Sequence, residues 1–108
     1  MENKYLENLY AAFVSGSIAD GRKVVTTAGT RVQVATASTP CRRITISALD
    51  TNTNVVVVGT STCVAAAGTR RGIQLLPGAS VDILLDDLNK LYLDSVTNGE
   101  GITYAYFL

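Results

Sequence analysis

Histidine and tryptophan are both absent from the 108 residues of this chain. Without histidine there is no His-based triad, no imidazole general base and none of the usual zinc constellations. Charge is scarce too: nine basic and nine acidic residues make up 17% of the chain and cancel to zero. A zero balance argues against general attraction to nucleic acid or to an anionic membrane. So low a charge density suggests a surface that is covered elsewhere, by copies of the same chain or by a partner. No apolar run reaches the length of a membrane-spanning helix. The opening MENKYLENLYAAF has acids early and no basic n-region, so it does not read as a secretory signal, and folding in a cytoplasm is expected. The two cysteines, Cys41 and Cys63, could pair, but burial as small apolar side chains is the expected reading.

What is present points to one all-β domain. From Gly72 to Leu108, short apolar runs are divided by Pro77-Gly78, by Asp86-Asp87-Leu88-Asn89 and by Asn98-Gly99-Glu100-Gly101. Strand-length runs at that spacing predict antiparallel pairing. Pro77-Gly78 suits a type II turn, which splays strands and so is expected to carry the chain between sheets. Upstream, Val32 and Val34 alternate with Gln33, and Ile44, Ile46 and Ala48 alternate with Thr45 and Ser47. Val55 to Val58 are apolar on both faces, which predicts a central strand or a face against another subunit. In the last run Ile102, Tyr104 and Tyr106 share one side and Thr103, Ala105 and Phe107 the other. The expected fold is all-β: an antiparallel two-sheet β-sandwich of jelly-roll type with about seven to nine short strands.

One short N-terminal α-helix precedes it. Leu6, Leu9, Tyr10 and Phe13 fall at i, i+3, i+4 and i+7, and Tyr5 and Val14 widen the stripe. So short a helix is marginal alone and needs a surface. That surface is either its own sandwich or a neighbouring subunit; docking on a neighbour is the expected reading, so residues 1–21 are taken as an arm and residues 22–108 as the sandwich.

Candidate chemistry is thin. Asp50 to Asn54 resembles half of a calcium loop, but Val55 stands where that loop needs glycine, so a β-turn is expected. Asp86-Asp87 are neighbours whose side chains diverge on a strand; Asp87 is expected to open a turn by accepting backbone N–H bonds. No lysine or histidine is placed to activate a serine or threonine. No catalytic residue, cofactor, metal site or small-molecule substrate is assigned, and the chain is read as not an enzyme. The basic pairs Arg42-Arg43 and Arg70-Arg71 are either solvated turns or a charge register that meets acidic edges of another copy or of a partner. No aromatic residue is interleaved with them, so nucleic acid is not expected.

The segments VTTAGTRVQV, CRRITISALDTNTNVVVVG and GIQLLPGASVDILLDDLNKLYLDSVTNGEGITYAYF resemble a family of small structural proteins of tailed bacteriophages. The similar pattern is a Val-rich turn and strand (Asn52, Thr53, Gly59), then Gly72, Leu75 and Gly78, then Asp87, Leu88 and Tyr92, then Asn98, Gly99, Ile102 and Tyr104. It covers roughly residues 24 to 108, about three-quarters of the chain. Asn54 stands where the family has glycine, a change that the left-handed tolerance of Asn accommodates. The resemblance implies a virion component with a β-sandwich body, assembled in the host cytoplasm and working by self-association and contact with the major capsid protein or other virion proteins. A capsid decoration (cement) protein is the first expectation; a tail, neck or head-fibre component is the alternative.

Overall fold

A computed structural model describes residues 16–108. Within them eight strands form two four-stranded antiparallel sheets. The strands are β1 (Ile18–Val25), β2 (Val32–Gln33), β3 (Arg43–Ala48), β4 (Val56–Gly59), β5 (Ile73–Leu75), β6 (Ser80–Leu84), β7 (Tyr92–Ser95) and β8 (Glu100–Phe107). The first sheet runs β1-β8-β3-β6 and the second β2-β7-β4-β5. The pairs nest: β1 lies beside β8, β2 beside β7, β3 beside β6 and β4 beside β5. The expected N-terminal helix, with Tyr5, Leu6, Leu9, Tyr10, Phe13 and Val14, lies outside the described residues.

Period-two patterning decides which side of each strand turns inward. In β3, Ile44, Ile46 and Ala48 are buried while Arg43 is exposed. Val81 and Ile83 of β6 pack inward and Leu84 points out. Ile102, Tyr104 and Tyr106 of β8 face the core as their spacing predicts. From the second sheet Val56, Val58, Leu75, Leu91 and Leu93 meet them, so the core is the filling between two sheets.

β4 is an interior strand, flanked by β7 and β5. Its outward valine, Val57, is buried all the same, because the β4–β5 connection folds back and lays Cys63 and Ala65 on it. The second apolar face is thus covered by the chain itself.

The crossing from β5 to β6 passes between sheets through the turn Leu76-Pro77-Gly78-Ala79. Ala79 N–H donates to Leu76 O at 2.9 Å and Gly78 has φ +80°. That is the type II geometry, with a left-handed third position that glycine enters freely.

The strand content begins earlier than the sequence implies. Asp20-Gly21 reads as the end of a helix and the sandwich as starting at residue 22. In the structure β1 begins at Ile18 and pairs with β8 over all eight residues, from Ile18↔Phe107 to Val25↔Glu100. Gly21 lies against the Tyr104 ring, where any Cβ would strike the phenol.

Candidate partner interface

The outer face of the second sheet is covered over Val57 and Asp94, while Gln74 at its β5 edge stays exposed. Arg31 Nε donates to Cys63 O, pinning the β4–β5 loop from outside it, and Arg70 Nε donates to Ala65 O within the loop, both at 2.8 Å. Beneath it Asp94, only 1% exposed, accepts from Ala65 N–H through Oδ2 and from Gly29 and Ser95 N–H through Oδ1. One carboxylate therefore ties β7 to the β1–β2 and β4–β5 loops.

The outer face of the first sheet carries no such cover among the described residues. Register fixes its rows. Across β1, β8, β3 and β6, one row is Ile18, Phe107, Arg43 and Leu84; the next is Asp20, Ala105, Thr45 and Asp82; the third is Arg22, Thr103, Ser47 and Ser80. The first row is the apolar one. Ile18 is 61% and Leu84 74% exposed, and the Arg43 guanidinium lies 4.3 Å above the Phe107 ring. That stacking keeps the cation over an aromatic face and leaves its rim open to a partner. Next to it Leu108, Pro40, Cys41 and Arg42 line a second, mostly apolar depression. Apart from Arg22, the other two rows are made of small or short polar side chains, with Thr45 Oγ1 donating to Asp82 Oδ1 at 2.7 Å and the Ser47 and Ser80 hydroxyls 2.6 Å apart. Asp20, Ala105, Thr45, Thr103 and Ser47 from these rows, with Gly21 and Tyr104, line an open trough of ≈480 Å³.

The acidic residues of the closing third are mostly engaged in holding loops. Asp87 behaves as its turn reading predicts: Oδ1 accepts from Thr39 and Asn89 N–H, and Oδ2 from the Ser38 hydroxyl. It caps a single 3₁₀ turn, Leu88–Lys90, and ties the β2–β3 connection to it. The Ser38 bond first, then the two backbone bonds, hold its carboxyl below the usual range. Asp86 instead meets Lys90 in an exposed ion pair, so the two neighbours do not act together. Glu100 accepts from Thr53 N–H, the Thr53 hydroxyl and Asn54 N–H. Burial pushes that carboxyl up, and the three bonds outweigh it, so the net displacement is downward. Beside it Asn52 imitates a strand partner: Nδ2 donates to Gly101 O at 2.9 Å and Oδ1 accepts from Gly101 N–H at 3.2 Å.

Both cysteines are free thiols. Cys63 is buried on the inner side of its loop, against Val57; Cys41 is half-buried and donates to Leu85 O. Burial, with Asp87 and Asp86 for Cys41 and Asp94 for Cys63, raises both pKa values despite Arg31 beside Cys63. A thiol so placed is a poor nucleophile at neutral pH.

The two arginine pairs are not brought together. Arg42 and Arg43 stand at the entrance to β3 on the first sheet. Arg70 and Arg71 belong to the loop over the second, where Arg70 is engaged with Ala65 O and Arg71 bridges to Val64. Sequence reasoning missed the roles of Asp94, Glu100 and Asn52. Both carboxylates are buried.

No family model matches the chain, and no curated protein or solved structure matches it either.

Proposed function

We propose that this chain is a structural protein of a tailed-bacteriophage virion, in the first place a capsid decoration protein. The observation that carries the reading is the asymmetry of the two outer faces. One is covered over Val57 and Asp94 by the chain's own loop, and the other presents an open apolar row, Ile18, Phe107 and Leu84, beside small polar residues. A face built this way gains stability when a neighbour removes it from water.

The strand order supports the same reading. Nested pairs in the orders β1-β8-β3-β6 and β2-β7-β4-β5 support a jelly-roll reading of the sandwich, a topology used by viral shell proteins, lectins and cupins. Topology alone does not choose among them. The lectin use favours stacking aromatics; on the open face Phe107 is already stacked by Arg43. A non-enzymatic role fits the side chains too, since Asp87, Asp94 and Glu100 each spend their oxygens on backbone N–H and hydroxyl donors that hold loops.

Residues 1–15 supply the docking arm in this reading, with Tyr5, Leu9, Tyr10 and Phe13 as its apolar anchors, and the partner is the major capsid lattice. The test is the number of copies retained per purified particle after removal of residues 1–16 and, separately, after Leu84→Asp. Loss in both is expected, and undiminished occupancy in both refutes the proposal. Copy number that scales with the capsid lattice marks decoration, and a few copies per vertex or tail mark the fibre or neck alternative.

A further inference from the structure

We infer that β1 is a self-complementary edge and that two copies of this chain join through it, antiparallel about Gly21, into one continuous eight-stranded sheet. The inference does not rest on the virion reading.

Among the described residues no strand pairs with the far side of β1. It is an eight-residue edge, whereas β2 and β5, the edges of the other sheet, have two and three residues. Its polarity of pairing follows from the ladder with β8. Ser17 O accepts from Leu108 N–H, and alternate residues of an antiparallel strand turn their backbone groups to opposite sides. Residues 19, 21 and 23 therefore bond to β8, and the N–H and C=O groups of Ile18, Asp20, Arg22 and Val24 point away from the sheet. These are the groups a second strand needs.

Charge then selects the register. With Gly21 opposite Gly21 of the second copy, Asp20 faces Arg22 twice, once on each side of the two-fold axis. Ile18 faces Val24 at both ends, and all four pairs are ones that exchange backbone hydrogen bonds. Slipping the register by one step in either direction that preserves the bonding sets Asp20 against Asp20 or Arg22 against Arg22, and like charges directly opposite are destabilising. On the inner side the half-buried Lys23 falls opposite Ala19, a small side chain that leaves its stem room. An inward lysine elsewhere blocks edges from pairing; here the two-fold gives it a small neighbour. The interface is isologous and closes as a dimer.

The experiment is the mass of the full chain in solution by light scattering or sedimentation equilibrium, for the wild type, Asp20→Arg, Arg22→Asp and the double exchange. The expected wild-type mass is twice 11.4 kDa. Each single reversal should weaken association by about tenfold or more, and the double exchange should restore it. Circular dichroism of each variant separates lost pairing from lost folding, and the restored double exchange excludes a folding explanation. A monomeric wild type, a dimer that survives either reversal, or a double exchange that stays monomeric would each overturn the inference.

Discussion

Asp94 is the side chain on which most local order converges. It is buried, it accepts from three backbone N–H groups, and those donors belong to two loops as well as its own strand. Asp94→Ala leaves them without partners in a dry site, which should cost about 2–4 kcal/mol. Asp94→Asn keeps one acceptor oxygen and turns an amide toward the remaining donor, so it should fall between. Urea midpoints at constant m-value check the order. Glu100 and Asp87 give the pH dependence. Both carboxyls sit below their ordinary values when folded, so the unfolded chain takes up protons first as acid is added. Their contribution is complete above about pH 5 and is lost as pH falls through the carboxylate range toward the lowered folded values. The urea midpoint should therefore be flat near neutrality and decline in acid. Glu100→Gln should start lower and decline less, and a variant with the wild-type acid slope would show that its bonds to Thr53 and Asn54 contribute nothing.

Elements differ in how far they can be read from sequence, and the reason is where their determining contacts lie. β3, β6 and β8 alternate cleanly because each has one face on the core, and the type II turn at Pro77-Gly78 and the cap at Asp87 are local chemistry. β1 is not legible in this way: Asp and Gly are poor strand formers, and what makes Asp20-Gly21 a strand is pairing with β8, more than eighty residues away for Asp20↔Ala105. Asp94 sits in LYLDS where alternation assigns it outward, which it is; only the return of the β4–β5 loop over that face buries it. The same loop explains Val57, whose cover the sequence left open between a central position and a neighbouring subunit. Two arginine clamps act on the loop: Arg31 ties it down at Cys63 O, and Arg70 braces it internally at Ala65 O. Replacing both by alanine should lift it locally, at a global cost of about 1–3 kcal/mol. In a Cys41→Ser background, Cys63 should then react faster with a thiol reagent. Unchanged labelling would mean that Asp94 and the apolar contacts hold the loop without the clamps.

At the scale of the whole molecule, stability and docking are separable. The inner faces of the two sheets fill one another with side chains from Val25 to Tyr106, and the second sheet's outer face is covered over Val57 by residues 63–65. The described residues fill that space among themselves, so the sandwich is expected to stand without residues 1–15. Removing residues 1–15 is expected to leave the urea midpoint and the near-ultraviolet dichroism close to those of the full chain, apart from the lost tyrosines, while particle occupancy falls. The contrast is informative because the competing arrangement, an amphipathic segment lying on its own open sheet, makes the opposite forecast. Covering Ile18, Phe107 and Leu84 would bury apolar area at about 25 cal/mol per Å², and its removal would lower the midpoint visibly. A truncated chain that is measurably less stable would thus locate the segment on its own molecule and leave the arm without a role in binding the lattice.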